Sequence, residues 1–126
     1  MGRRLAWVVG IVAAAWAVAR WAGPFRVEVA GDSMRPTLAP GDWLVAVRPR
    51  RIRLGDLVVI RRPELGIEVV KRVAGLPGEG ALGSGEYLVL GDDPARSTDG
   101  RSFGPVAGDR IAGVVVARYW PRPARL

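Results

Sequence analysis

The chain contains a single lysine, Lys71; every other basic residue is arginine. Arginine keeps its proton in a folded protein, whereas a buried lysine can lose it and act as a base. Lys71 lies in the run Ile67-Glu68-Val69-Val70-Lys71-Arg72-Val73. Read as a strand, this run puts Ile67, Val69, Lys71 and Val73 on one face and turns Glu68 and Arg72 to the other. An ammonium among three β-branched aliphatics loses hydration, and its pKa falls. That describes a candidate general base. The chain has neither histidine nor cysteine, so the commonest side-chain bases and the thiolate nucleophile are absent.

The same two absences bound other functions. Disulfides, thiolate catalysis and cysteine-ligated zinc are excluded. Only carboxylates remain as metal ligands, so no metal and no cofactor is expected. The length of 126 residues suits one domain, and 17 glycines and 10 prolines suit a turn-rich β domain. The net charge of +7 raises nucleic acid as a partner. Apart from Arg48-Pro49-Arg50-Arg51-Ile52-Arg53, however, the arginines are scattered, and the tyrosines are not interleaved with them. Nucleic acid is therefore not expected; the charge suits anionic lipid headgroups equally well.

The elements that must position Lys71 read as strands separated by turns. Arg26–Ala30 alternates. Trp43–Val47 follows Pro40-Gly41-Asp42, and Leu57–Arg62 follows Leu54-Gly55-Asp56. Ile67–Ala74 carries the lysine and ends at Gly75-Leu76-Pro77-Gly78. Glu86–Leu90 precedes Gly91-Asp92-Asp93-Pro94, and Arg110–Tyr119 is the last long run. Short strands with frequent Gly, Pro and Asp turns predict an all-β fold, a small, partly open antiparallel barrel. Gly78–Gly85 reads as a flexible loop and Pro121–Leu126 as a frayed tail. Trp43 and Trp120 read as packing or interfacial residues.

Ahead of the strands, Leu5 to Ala19 is apolar without a break, and Trp21-Ala22-Gly23 continues it past Arg20. At about 1.5 Å per residue, Leu5 to Gly23 would span roughly 28 Å, close to one bilayer core. Arg3 and Arg4 precede it, as expected of a cytoplasmic end, and Trp7 and Trp21 fit the two interfacial belts. Pro24 stops the helix. The expected organisation is a single-pass anchor over residues 1–23 and an extracytoplasmic β domain over 24–126, with the lipid bilayer as a partner. A cleaved signal peptide, with a small-residue site at Ala17-Val18-Ala19, and a buried soluble helix are the competing readings.

Three segments read together. They are Gly31-Asp32-Ser33-Met34-Arg35-Pro36-Thr37-Leu38, followed by Pro40-Gly41-Asp42; Val69–Gly78; and Gly91–Val106, which includes Ser97-Thr98-Asp99-Gly100-Arg101. In this order, behind an apolar N-terminus, they resemble the type I signal peptidases, membrane-bound serine proteases with a Ser-Lys dyad. The resemblance runs from about Val29 to Pro121. It implies an all-β domain with the dyad in an apolar groove near the membrane surface. It also implies Ser33 as nucleophile, Lys71 as general base, Ser97 as a hydrogen-bond partner of the lysine, Asp99 and Arg101 as a structural ion pair, and Arg72 as a basic neighbour of the base. The implied partners are precursor proteins that lie extended beside the dyad, with small residues at the first and third positions before the cut. Shallow apolar pockets accept alanine there and exclude larger side chains.

The chemistry follows from the residues. Serine is a weak nucleophile until a base takes its proton, and a desolvated lysine can do so. Gly31 and Pro36 favour a fixed, unusual turn that presents the hydroxyl together with the backbone amides around Gly31 and Ser33, which would bind the oxyanion. The chain departs from the family pattern in places. Gly31 stands where some relatives have serine, so no side chain donates to the oxyanion. Asp93 stands in place of asparagine and Gly100 in place of serine. Only a short loop joins the second and third segments, where many relatives carry a second β domain. In size the chain is nearer to mitochondrial inner-membrane proteases and to the protease that trims nickel superoxide dismutase precursors. A dedicated maturase with one substrate is therefore an alternative to a general leader-removing endopeptidase. A repressor-type autoprotease and an inactive membrane-tethered β module are the remaining readings.

Overall fold

Residues 2–48, 51–62, 64, 66–97 and 104–126 are described by a computed structural model; within the N-terminal helix, side chains are described as far as Ala14. The helix, α1, spans Gly2–Ala22. Among the described residues eight strands follow: β1 (Phe25–Glu28), β2 (Trp43–Val47), β3 (Leu57–Arg62), β4 (Ile67–Gly75), β5 (Glu86–Leu90), β6 (Val106–Ala107), β7 (Ile111–Trp120) and β8 (Ala124–Arg125). They form one open antiparallel sheet in the order β1-β2-β7-β3-β4-β5-β6, with β8 paired to β7. The fold is thus all-β, as the turn-separated runs predict, and β1 and β6 are its edges.

The sheet curls around two apolar clusters. Val27, Met34, Leu38, Leu44, Val59 and Val70 belong to the first. Val58, Ile60, Val73, Val89, Val106 and Ile111 form the second. β3 is buried at four successive residues, Leu57 to Ile60, because its two faces serve different clusters. A strand covered on both sides loses the apolar–polar alternation of a half-exposed one. Register shifts between β2 and β7 and between β3 and β7 bend the sheet at its centre, as bulges do. At the tightest point Gly113 lies against the Phe25 ring and the Val47 carbonyl, where an added Cβ would come within 2.7 Å of both.

Three expectations need adjustment. Ile67 is 49% exposed, because it pairs with Arg62 at the outer end of the β3–β4 hairpin, beyond the reach of the second cluster. Only Val69 and Val73 flank Lys71 on its apolar face. The tail is folded back: β8 pairs with β7, and the Leu126 amide donates to the Val116 carbonyl at 3.2 Å. Gly78–Gly85 is tied by internal hydrogen bonds, from Gly78 N to Gly83 O (3.2 Å) and from Leu82 N to Glu79 O (2.9 Å).

In α1 every residue from Gly2 to Ala14 is exposed, including Leu5, Trp7, Val8, Val9, Ile11 and Val12. Among the described residues no helix is long and apolar enough to cross a membrane.

Candidate active site

Lys71 lies in β4 opposite Val58, a residue with no exposed surface, and is itself only 3% exposed. Its Nζ donates to Ser97 Oγ at 3.0 Å. A buried ammonium or amine needs such a partner, since an unsatisfied one would carry its full desolvation cost. Ser97 stands in extended backbone immediately after a 3-10 turn, Pro94–Arg96. Asp93 caps that turn, its Oδ1 accepting from the Ala95 amide at 3.1 Å.

Ser33 occupies a half-buried turn that starts at Gly31, whose φ of +83° is the left-handed conformation that favours glycine. Met34 and Leu38, each 1% exposed, pin the turn to the first cluster. The Arg35–Pro36 peptide is cis. The Ser33 carbonyl accepts from the Asp93 amide at 2.9 Å, which joins the serine segment to the segment that carries Ser97. Gly91 sits at this junction. A Cβ there would come within 2.6 Å of Ser97 Cβ and 2.7 Å of the Ser33 carbonyl oxygen. Only a residue without a side chain allows that approach, so three segments separate in sequence meet around Gly91, Ser97 and Lys71.

Arg72 faces away from the lysine, as alternation requires. Its Nε and Nη2 donate to the two oxygens of Asp92 at 2.9 and 2.8 Å, and its Nη1 donates to the Gly55 carbonyl at 2.8 Å. Asp92 also accepts from the Thr37 hydroxyl at 2.6 Å. One carboxylate therefore links β4, the serine segment and the end of β5. The Arg72 fork holds the Asp92 carboxyl below the usual carboxylate range, and the Thr37 hydroxyl adds to this against partial burial. Asp32, beside Ser33, is likewise lowered, chiefly by its bond from Arg35, and it also faces Arg96 at 3.8 Å.

Lys71 and Ser97 thus meet on one face of β4, the turn that holds Gly31 and Ser33 is joined to the Ser97 segment, and Arg72 braces Asp92 from the opposite face, all in the segments sequence reasoning chose. Asp99 and Arg101 lie outside the described residues. The parts that sequence reasoning missed are Gly91, Thr37 and Asp92. All three stand in the chosen segments, but their contacts lie between segments and have no periodic signature. Among the described residues no cluster of carboxylates could hold a metal ion.

In this all-β domain the serine turn is joined to the segment whose Ser97 bonds the buried lysine. The chain matches the model of the family "Signal peptidase, peptidase S26" over residues 2–81 and 79–120, and it belongs to that family. It is 33% identical to the mitochondrial inner membrane protease subunit 1 of Schizosaccharomyces pombe over 119 residues, 79% of this chain and 76% of the relative. It is 36% identical to the mitochondrial ATP-independent inner membrane protease subunit 1b of Arabidopsis thaliana over 122 residues, 77% of this chain and 70% of the relative. It is 28% identical to signal peptidase IB of Staphylococcus aureus over 173 residues, 93% of this chain and 90% of the relative.

Two outcomes follow from this geometry. Gly91→Ala will displace Ser97 and the Ser33 carbonyl together. Turnover on a precursor peptide should fall by about 10²-fold, as an ångström-scale misplacement typically costs, while circular dichroism retains the β signature. Asp92→Asn tests the charge that links the segments. The folded pKa of Asp92 is lowered, so its stabilisation is fully present above the ordinary aspartate value of about 3.9. It is lost as pH falls through that value toward the lowered folded pKa. Urea melts between pH 6 and pH 2 should therefore show a smaller loss of stability on acidification in Asp92→Asn than in the parent.

Proposed function

We propose that the protein is a membrane-anchored serine endopeptidase that removes leader peptides from translocated precursors, with Ser33 as nucleophile and Lys71 as general base. The observation that carries this reading is the buried Lys71 amine, bonded to a serine whose segment is joined to the Ser33 turn. Burial disfavours the charged form of the amine. A neutral amine that donates one hydrogen to Ser97 can aim its lone pair at the Ser33 hydroxyl. As Ser33 Oγ attacks the scissile carbonyl, Lys71 Nζ takes its proton, and the backbone amides around Gly31 and Ser33 bind the oxyanion. The resulting ammonium then returns the proton to the leaving amine of the mature protein. The leader's acyl group remains on Ser33 Oγ. A water, deprotonated by the neutral lysine, releases it as a carboxylic acid and regenerates the serine.

Membership of the signal peptidase family implies precursor proteins as substrates, and small residues before the cut suit a shallow apolar groove. In this reading Asp99 and Arg101, outside the described residues, keep the structural ion-pair role that the family resemblance implies for them. The unbroken apolar run of Leu5–Ala19, with described side chains that stand exposed, supports residues 1–23 as an anchor and 24–126 as an extracytoplasmic domain. The names of the mitochondrial relatives place those proteins at an inner membrane.

Ser33→Ala should abolish precursor cleavage in a protein that still folds. Lys71→Arg should be nearly as inactive, because arginine keeps the positive charge but offers no neutral form. The parent rate should rise with pH through the titration of the lysine, since only the unprotonated amine accepts the serine proton. An active Lys71→Arg enzyme would show that the base is another group.

Topology has its own test. The protein should resist carbonate extraction, and protease added from the extracytoplasmic side should digest residues 24–126. Recovery in the soluble fraction, with a new N-terminus at Arg20, would identify a cleaved signal in place of the anchor.

A further inference from the structure

We propose that Arg118, far from the lysine in sequence and on another strand, is a positioning residue for the nucleophile segment. The inference rests on the Ser33–Lys71 reading and adds to it a second brace that no family motif quoted above contains. Arg118 lies in β7, opposite Leu44 of β2 on one side and Ala124 of β8 on the other. Its Nη1 donates to the Thr37 carbonyl and to Asp42 Oδ2, both at 3.3 Å. Its Nε donates to the Arg122 carbonyl at 2.7 Å. The guanidinium is therefore oriented by the turn into β8 and spans to the serine segment. Its side chain is 19% exposed and that of Asp42 is 9% exposed, so solvent screens this pair less than a surface ion pair.

Asp42 in turn closes the segment that begins at Ser33. Its Oδ2 accepts from the Ala39 amide at 3.0 Å, and its carbonyl accepts from the Val29 amide at 2.8 Å. Thr37 is gripped from two directions. Its hydroxyl is held by Asp92, which Arg72 anchors beside Lys71 on β4. Its carbonyl is held by Arg118 from β7. Removal of the β4 brace alone would leave the serine segment tied to β7; removal of the β7 brace would let the downstream half of the turn move while Lys71 and Ser97 stay in place. Arg118 thus sets where the Ser33 hydroxyl stands relative to a base it does not touch.

The test compares Arg118→Gln, Arg118→Lys and Asp42→Asn with the parent, and Ser33→Ala as control, in the full-length detergent-solubilised protein. The substrate is a precursor peptide with alanine at the first and third positions before the cut. Ser33 is titrated with a serine-directed acylating probe to count competent sites. Positioning predicts that kcat per titrated site falls about 10- to 100-fold, that KM stays within about twofold, and that the pH profile, set by Lys71, does not move. Arg118→Lys should recover little, because a single nitrogen cannot stand at both the Nε and the Nη1 positions from which the planar fork reaches its acceptors. Wild-type kcat per titrated site in Arg118→Gln, or a loss that only follows a smaller titrated fraction, would overturn the proposal. If Arg118→Gln does not fold, Arg118→Lys and Asp42→Asn decide it by the same ratio. Cleavage by Ser33→Ala would instead bring down the dyad reading itself.

Discussion

A lysine with 3% of its surface exposed is the constraint from which the rest of the site follows. Burial of Lys71 among Val58, Val69 and Val73 is unfavourable unless its nitrogen is hydrogen-bonded. Ser97 supplies such a bond, and this requires the segment after β5 to fold back onto β4. The return is tight enough that position 91 must lack a side chain. The same return brings the Asp93 amide to the Ser33 carbonyl. A single buried nitrogen thus sets the spacing of three distant stretches of chain.

The charged groups around it divide by solvent access. Asp92 lies between Arg72 and Thr37, with a two-pronged guanidinium and a hydroxyl on one carboxylate. Fork geometry of this kind fixes direction as well as distance. Asp32, Arg35 and Arg96 form a more exposed set on the rim beside Ser33. Exposed pairs of that kind contribute little to stability. They stay at the rim, whereas the Arg72–Asp92 and Arg118–Asp42 pairs tie the segment after Ser33 to the sheet.

The sheet itself is suited to this work because it is open. Two clusters, one on each face of β3, give the small domain its packing without closure of a barrel. β7 pairs with three strands, β2, β3 and β8, and it carries both the close-packed Gly113 and the guanidinium that reaches the nucleophile segment. Bulges against β2 and β3 bend it, and the bend lets one strand serve the packing of Phe25 at one end and the bracing of Thr37 at the other.

Sequence alone determined what local physics controls. Alternation and turn residues located β2, β3 and β5 over the residues observed, and the long runs around β4 and β7 to within one residue, because period and turn chemistry act over a few neighbours. The lone lysine on an apolar strand face and the family segments pointed to Ser33, Lys71 and Ser97, and Ser97 does lie at the lysine. Tertiary structure decided the rest. β6 and β8 are two residues each, too short to show a period, and exist only through their partners. Ile67 has the composition of a buried residue but lies past the edge of the cluster. Gly91, Asp92 and Arg118 look like ordinary turn and surface residues in sequence. What they do depends on distances between segments up to 81 residues apart, which no local pattern encodes.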